Sequence, residues 1–217
     1  MPMKHILPED IERTSMSIIA QELREKGIVL PEESAAVVRR VIHTTADFDF
    51  AGNLRFTPGA VKLGQAALLN RAAIVTDTNM AKAGINKPVL TKLGGQVCCF
   101  MADEDVARAA KEKGTTRAVA AMEKASGRFP SAVFAIGNAP TALLRIAELI
   151  EAGLRPSLVI GVPVGFVNVV ESKEAAWAVC QEKGVPAILS MGRKGGSGVA
   201  AAVCNALLYQ TTEEIRC

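Results

Sequence analysis

Apolar residues in the first part of the chain recur with the spacing of amphipathic helices. In residues 10–25 they stand at positions 11, 18, 19 and 23, and in residues 32–42 they stand at positions 37, 38, 41 and 42. Side chains three or four positions apart share one face of a helix. The pattern therefore predicts two helices in this region, followed by a third over residues 58–70.

Five short apolar runs come next, and each is continuous rather than alternating with polar residues. They are AAIVTD at 72–77, QVCCFM at 96–101, SAVFAIG at 131–137, PSLVIGVP at 156–163 and PAILSMG at 186–192. A strand that is covered on both faces has this composition, because neither of its sides meets water. We therefore predict five buried strands.

Helical patterns separate these runs and follow the last one. They cover residues 103–113, 116–126, 141–152, 172–183 and 196–209, whereas residues 78–95 hold only one or two short helical turns. Strands that alternate with helices form a parallel sheet with helices on both faces. We predict an α/β fold with three layers and a mainly parallel five-stranded sheet. A single domain is expected over residues 1–217, with N-terminal helices over about 8–45 and a sheet core over about 57–210.

The composition is that of an ordinary soluble globular protein. Hydrophobic residues make up 49% and charged residues 22% of the 217 residues, which is enough apolar material for one sizeable core. The net charge of +3 is dispersed, so we expect no nucleic-acid partner. No apolar run reaches the roughly 18 residues of a membrane span, and the first residues lack a signal-peptide core. A cytoplasmic protein without a membrane partner is expected.

The cysteines do not predict a metal site. The chain has five of them, and none forms a CxxC pair. We expect Cys98, Cys99, Cys180 and Cys204 to be reduced residues that pack in apolar or helical surroundings, and Cys217 to be a free thiol.

Unusual loops follow four of the predicted strands. They are TDTNM from Thr76, GNAPTAL from Gly137, GVPVGFVNVVESK from Gly161 and GRKGGSG from Gly192. The carboxyl ends of parallel strands meet at one edge of a sheet, and ligands bind there. GNAPTAL has the alternative interpretation of a simple strand-to-helix junction, because asparagine, glycine and proline are common at such turns. GRKGGSG is suited to anions but matches neither common nucleotide-binding motif.

His43 is the strongest candidate for acid-base chemistry. The chain has only two histidines, and the other, His5, lies close to the N-terminus. Imidazole is the side chain that most readily exchanges a proton near neutral pH. His43 stands at the end of a predicted helix, where the alternative interpretation is that it caps the last carbonyl groups.

The neighbours of His43 favour the chemical interpretation. Arg39 and Arg40 precede it by one helical turn, and Asp47 and Asp49 follow it. Nearby arginines oppose protonation of the imidazole, whereas nearby aspartates favour it, and this balance suits a general acid. Nucleophilic catalysis is less well supported, because no GxSxG or catalytic-cysteine pattern accompanies the histidine.

Together, these segments resemble one family, the precorrin-8X methylmutases with their cobalt-precorrin-8 counterparts. The matching segments are VIHTT with His43, TDTNM from Thr76, TTRAVAAM from Thr115, AIGNAPTALL from Ala135, GVPVGFVNVVESK from Gly161 and GRKGGSGVAAA from Gly192. The resemblance covers nearly the whole chain in order. Two of these segments, AIGNAPTAL and GVPVGFVNVVESK, are long and uncommon.

The resemblance implies a flavodoxin-like sheet, a homodimer with active sites at the subunit interface, and no cofactor. It also implies an isomerase of corrin biosynthesis. Such an enzyme moves a methyl group from carbon 11 to carbon 12 of precorrin-8X or cobalt-precorrin-8 and gives hydrogenobyrinate or cobyrinate. His43 occupies the family's catalytic histidine position, where its implied role is to protonate the ring C nitrogen and to recover the proton afterwards.

The substrate of this family is a large apolar disc fringed with carboxylates, so its pocket needs an apolar wall and a rim of cations and hydrogen-bond donors. Ser15 and Arg117 align with family positions expected near the substrate. The remaining candidates for contact are Arg40, Asn138, Asn168, Arg193 and Lys194. Alternative interpretations stay open for three of these seven: Arg117 as a solvated first-turn residue, and the two asparagines as turn formers.

Two other classes of function compete with a methylmutase. The first is a tetrapyrrole carrier without turnover, since a methylmutase that holds its product tightly can hand it to the next pathway enzyme. The second is a nucleotide-binding flavodoxin-like domain that uses GRKGGSG. Turnover separates an enzyme from a carrier, and binding of FMN, NAD or ATP would indicate the nucleotide-binding domain.

Overall fold

A mixed six-stranded sheet forms the centre of the computed structural model, which describes residues 8–216. The strands are β1 Leu54–Phe56, β2 Ile74–Thr76, β3 Val97–Cys98, β4 Val133–Ile136, β5 Leu158–Gly161 and β6 Ala187–Ser190. Their order across the sheet is β1-β6-β5-β4-β2-β3. Strands β2 to β6 are parallel to one another, and β1 runs antiparallel to β6.

The prediction of a mainly parallel sheet is confirmed, but the number of strands was wrong. All five predicted strands are present, and β1 is a sixth that the apolar pattern did not reveal. Strand β1 has three residues, of which Leu54 is buried and Arg55 is exposed. It is defined by its pairing with β6, where Leu54 lies opposite Ser190. A three-residue edge strand is too short for its own pattern to identify it.

Eleven helices lie within residues 8–216. Those before β4 are α1 Pro8–Glu25, α2 Glu32–Thr45, α3 Phe50–Asn53, α4 Ala60–Leu69, α5 Asn79–Gly84, α6 Lys87–Lys92, α7 Glu104–Glu112 and α8 Arg117–Arg128. Those after β4 are α9 Pro140–Glu151, α10 Val169–Glu182 and α11 Ser197–Arg216. The predicted helices are present, and the short turns expected in residues 78–95 are α5 and α6.

Helix starts in the core region follow from local sequence. The side chains of Thr78, Asn86 and Thr116 each accept a hydrogen bond from the backbone N–H three residues later, in the first turn of α5, α6 and α8. Pro140 is the first residue of α9, where its fixed backbone angle is favourable and its missing N–H costs nothing. These starts place the N-termini of α5 and α9 directly after β2 and β4.

Two apolar clusters cover the two faces of the sheet. Successive strand residues point to opposite faces, and accordingly Val133 and Ala135 of β4 belong to one cluster, while Phe134 and Ile136 belong to the other. The first cluster contains residues of α1 to α6 and α11, and the second contains residues of α7 to α10. The three-layer arrangement follows from these two clusters.

Candidate active site

His43 lies in the last turn of α2, on the side of the helix that faces away from the core. Val41 and Ile42 are buried, whereas His43 is exposed. The helix ends at Thr45, and the next residue, Ala46, has a left-handed backbone (φ 53°) and donates its N–H to the carbonyl oxygen of Ile42. Within residues 8–216 the imidazole donates to no helix carbonyl, so no contact supports the alternative interpretation that His43 caps the helix. The ring is available to a ligand.

A groove of about 520 Å³ opens beside His43. Residues of α1, α2 and the loop after α2 line it: Ser15, Ile18, Ile19, Glu22, Ile42, His43, Ala46 and Phe48. The hydroxyl of Ser15 donates to the carbonyl oxygen of Ile11 at 2.8 Å, which leaves its oxygen able to accept another hydrogen bond. The structure therefore brings two of the predicted site residues, Ser15 and His43, to one groove with apolar and polar walls.

Lys194 is brought to the loop that follows His43. Its Nζ atom lies 2.6 Å from Oδ2 of Asp47 and 2.6 Å from Oδ2 of Asp49. Hydrogen bonds from this ammonium group lower the pKa of Asp47, and the same contacts raise the pKa of Lys194. The acidic residues beside His43 are thus ion-paired with the loop after β6.

Arg193 lies beside an exposed apolar loop. Its guanidinium group is 5.5 Å from the ring centre of Phe166, and Phe166 is 83% exposed. Val164 and Val167 in the same loop are also exposed. The backbone N–H of Gly165 donates to the carbonyl oxygen of Arg193 at 3.4 Å. This edge therefore presents one cation next to uncovered apolar surface.

The end of α2 and the start of α11 meet at the same edge. A Cβ atom built on Gly198 would lie 3.9 Å from Cγ2 of Thr44. The hydroxyl of Ser197 is 2.8 Å from that of Thr78, which follows β2. The helix that carries His43 therefore reaches the carboxyl edge of the parallel strands, where the sequence predicted the site.

A buried carboxylate fixes the loop that contains Asn138. Asp77 accepts three backbone hydrogen bonds, from Gly137 at 2.9 Å, Asn138 at 2.8 Å and Ala139 at 2.7 Å. Burial raises the pKa of Asp77, and the three hydrogen bonds act in the opposite direction. Sequence reasoning missed this residue. The available signal was an aspartate directly after a continuous apolar strand, a position that only a fully hydrogen-bonded carboxylate tolerates.

A buried lysine holds the loop after β6 through hydrogen bonds to its backbone. Lys173 is fully buried, and its Nζ atom donates to the carbonyl oxygens of Gly192 at 2.7 Å and Lys194 at 2.8 Å. Burial lowers the pKa of Lys173 to about 8. Lys173 ends the segment GVPVGFVNVVESK, yet nothing in its helical context distinguished it from a solvated surface lysine.

Other predicted contact residues are not gathered around His43. Arg40 forms an ion pair with Glu12 at 2.6 Å and stacks over the ring of Tyr209 at 5.0 Å. It lines a separate groove of about 200 Å³ between α1, α2 and α11. Its guanidinium group therefore lies towards the far end of α11 and away from Gly198.

Arg117 and Asn168 lie on exposed helix starts. Arg117 is the first residue of α8, which covers the opposite face of the sheet from α2. The hydroxyls of Thr116 and Thr141 are 3.3 Å apart, so Arg117 is near the start of α9. Asn168 has a left-handed backbone (φ 56°), and its side chain does not cap α10. Its carbonyl oxygen instead accepts from the N–H of Ser172 at 3.1 Å.

The GRKGGSG loop is a packing element in this structure. The N–H of Gly196 donates to the carbonyl oxygen of Val162 at 2.8 Å. A Cβ atom on Gly195 would lie only 2.1 Å from that same oxygen. Gly195 and Gly196 therefore allow the loop to approach the backbone after β5 closely, which accounts for these two glycines without a phosphate.

Residues 8–216 contain no cluster of three or more histidine, cysteine or acidic side chains suited to a metal ion. Cys98 and Cys99 are partly exposed, whereas Cys180 and Cys204 are buried, and burial raises the pKa of both buried thiols to about 12. Cys217 and His5 lie outside the described residues. In the described part of the chain, no helix is both long and apolar enough for a transmembrane segment.

Comparison with known proteins identifies the family. Residues 10–210 match the precorrin-8X methylmutase family. The chain belongs to the precorrin-8X methylmutase family. The expectation of a methylmutase, an isomerase of corrin biosynthesis, is thereby confirmed.

Similar proteins carry both forms of the family name. The cobalt-precorrin-8 methylmutase of Salmonella typhimurium is 44% identical over 95% of this chain and 97% of its own length. The precorrin-8X methylmutase of Pseudomonas aeruginosa is 41% identical over 91% of this chain and 93% of its own. The crystal structure of precorrin-8X methylmutase from Thermus thermophilus superposes with a TM-score of 0.83 at 38% identity. The superposition covers 94% of this chain and 98% of the Thermus thermophilus chain.

Proposed function

We propose that this methylmutase moves a methyl group from carbon 11 to carbon 12 of precorrin-8X or cobalt-precorrin-8, with His43 as the general acid. The products would be hydrogenobyrinate or cobyrinate. The observation that carries the proposal is the exposed imidazole of His43 in a groove of about 520 Å³ whose lining is partly apolar. A proton donor in such a groove can reach a nitrogen of a bound macrocycle without competing for a protein acceptor.

The proposed chemistry needs one proton and no external group. Protonated His43 gives its proton to the ring C nitrogen, which draws electron density from the adjacent carbons. The bond from the methyl group to carbon 11 breaks as the bond to carbon 12 forms, and the neutral imidazole then recovers the proton. Because the migration is intramolecular, positioning and one acid supply the main catalytic contributions.

Substrate binding is proposed for the residues around the carboxyl edge. Arg193 would pair with a substrate carboxylate, while the exposed side chains of Val164, Phe166 and Val167 would cover part of the apolar ring. Ser15 lies in the groove of His43, and its hydroxyl oxygen would accept a hydrogen bond from the substrate. The other proposed contacts are Asn138, Asn168 and Lys194, together with Arg40 and Arg117, which lie away from the groove of His43.

We propose a single flavodoxin-like domain that acts as a homodimer with its active sites at the interface. In chain order, the five parallel strands are arranged second, first, third, fourth, fifth across the sheet. Flavodoxin-like folds share this order. A homodimer would bring residues on different faces of one subunit, such as His43 and Arg117, into one site. We also propose that the enzyme passes its product directly to the next pathway enzyme.

Turnover tests the reaction. Purified protein is incubated separately with precorrin-8X and cobalt-precorrin-8, and the spectrum of the rearranged corrin is recorded. We expect many product molecules per subunit from at least one substrate, and His43→Ala should abolish turnover while the circular dichroism spectrum is retained. Stoichiometric capture without rearrangement would indicate a carrier. Full activity of His43→Ala would remove the proposed proton role.

A further inference from the structure

Lys173 is a buried cation with no carboxylate partner among residues 8–216. Its ammonium group is instead surrounded by three oxygen atoms: the carbonyl oxygens of Gly192 and Lys194 at 2.7 and 2.8 Å, and Oγ of Ser190 at 3.4 Å. Taking an ammonium group out of water is costly, and an apolar residue of similar size would avoid that cost. The position of Lys173 therefore suggests a role in fixing the conformation of the loop whose carbonyl groups it binds.

The bound loop is held tightly around residue 194. The carbonyl oxygen of Lys194 accepts from Lys173 and also from the hydroxyl of Ser190 at 2.5 Å. Gly192 and Gly196 on either side have positive φ angles of 73° and 135°. Glycines in such conformations give the loop little local preference of its own. Backbone hydrogen bonds at Arg193 and Gly196 anchor the two sides of the loop, and the donors that reach the Lys194 carbonyl oxygen fix the orientation of the residue between them.

The side chain of Lys194 connects this loop to the end of α2. Its Nζ atom lies 2.6 Å from both Asp47 and Asp49. The N–H of Asp49 donates to Oδ1 of Asp47 at 3.0 Å, so the two aspartates form one closed turn. Asp47 comes four residues after His43. A path of contacts therefore leads from Lys173 through Lys194 to the loop that follows His43 in the chain.

We propose that Lys173 is a positioning residue of the methylmutase reaction, which acts by fixing the Lys194 backbone so that the Lys194 ammonium holds the His43 loop in place. This inference rests on the proposed function of His43. Lys173 itself is fully buried and lies behind the loop. It acts through Lys194 and the two aspartates, and does so before substrate binds.

A mutant cycle tests the proposed path. The variants are Lys173→Met, the pair Asp47→Asn with Asp49→Asn, and all three changes together, with Lys183→Met near the end of α10 as the control. We expect Lys173→Met to lower kcat on the order of tenfold while KM changes by less than about threefold. The combined variant should be no slower than the slower of its parents, because residues on one path do not act additively. Lys183→Met should match the wild type.

Nuclear magnetic resonance of the histidine side chains supplies a readout that does not depend on turnover. The chain has two histidines, so a His5→Ala background leaves the signals of His43 alone. The His43 imidazole signals should move in Lys173→Met and in the aspartate pair, but not in Lys183→Met. If the wild type showed no turnover, the methylmutase proposal would fail while this measurement still decided the role of Lys173.

Two results would overturn the inference. One is unchanged His43 signals in Lys173→Met together with a kcat within about twofold of the wild type. The other is a combined variant whose losses in kcat multiply, since independent sites behave in that way.

If Lys173→Met does not fold, Ser190→Ala takes its place, because this change removes one donor to the Lys194 carbonyl oxygen and leaves the ammonium group of Lys173 in place. Its effects should have the same direction and be smaller.

Discussion

Asp77 accepts a hydrogen bond of 2.8 Å from the backbone N–H of Asn138, and this contact ties the end of β2 to the loop after β4. The same carboxylate also binds the N–H groups of Gly137 and Ala139. Three successive backbone donors then point at one anion, where a helix N-terminus favours negative charge. One buried side chain therefore sets the shape of a loop in which a substrate contact is proposed.

Replacing Asp77 with asparagine should destabilise the protein. The amide nitrogen is a donor and would face at least one of the three N–H groups, which leaves a buried donor without an acceptor. We expect Asp77→Asn to lower the free energy of unfolding by about 1–3 kcal/mol in urea at pH 7. Glu104→Gln, at an exposed position in the first turn of α7, is the control and should stay close to the wild type. Equal stability of both variants would contradict the role given to Asp77.

Gly195 should be intolerant of any side chain. A Cβ atom at this position would lie 2.1 Å from the carbonyl oxygen of Val162 and 2.7 Å from that of Pro163. Both obstacles are backbone atoms, so the loops after β5 and β6 would have to separate. We expect Gly195→Ala to cost about 1–3 kcal/mol of unfolding free energy, as overpacking does.

Gly127 provides the matched control for Gly195. It lies in α8, and a Cβ atom there meets nothing within 4 Å. Alanine is the better helix former, so Gly127→Ala should raise the free energy of unfolding by up to about 1 kcal/mol. Urea unfolding of both variants measures the contrast. A Gly195→Ala protein as stable as Gly127→Ala would show that the two loops are not packed as described.

The apolar pattern predicted the interior of the fold well, because each strand there is identified by its own residues. Ile74 and Val75, like Val159 and Ile160, are apolar at successive positions, which by itself predicts a strand covered on both faces, and all four are buried. Strand β1 is different, because Leu54–Phe56 becomes a strand only through its pairing with β6. Pairings between residues distant in sequence leave no local signal.

Some residues of the candidate site could likewise be predicted from the sequence, whereas others could not. His43 could be named from its sequence context and Ser15 from the family resemblance, and they share a groove. The roles of Asp77 and Lys173 depend on burial and on backbone groups of other loops, which no spacing reveals. Arg40 shows the converse. Its place in the sequence suggested a position near His43, but contacts with Glu12 and Tyr209 hold its guanidinium group in another groove.

Arg193 should contribute to substrate binding more than to the chemical step. Its guanidinium group lies over Phe166 at an exposed edge, and Arg193 is itself exposed, three residues after β6 ends at Ser190. Loss of one charge-assisted contact costs about 1.5–3 kcal/mol, so Arg193→Ala should raise KM by about tenfold or more with kcat little changed. Arg108→Ala, exposed on α7, is the control. A lowered kcat at unchanged KM would assign Arg193 to the transition state instead.

The lowered pKa of Lys173 should appear in the pH dependence of stability. Burial lowers that pKa from 10.5 to about 8. Between these values the unfolded chain keeps a proton that the folded protein has released, so the unfolded state binds more protons. The contribution of Lys173 to the free energy of unfolding therefore increases as the pH rises from about 8 to about 10.5. The full increase is about 3 kcal/mol.

Comparison with Lys173→Met isolates this contribution, because the variant has no group that titrates there. Cys180 and Cys204 also affect stability in alkali, since burial raises their pKa to about 12, but they are common to both proteins and cancel in the difference. Urea unfolding at several values from pH 7 to about 10 should show the wild type gaining stability relative to the variant above about pH 8. A constant difference would mean that the carbonyl oxygens of Gly192 and Lys194 keep Lys173 charged, because bonds to the ammonium group oppose its deprotonation.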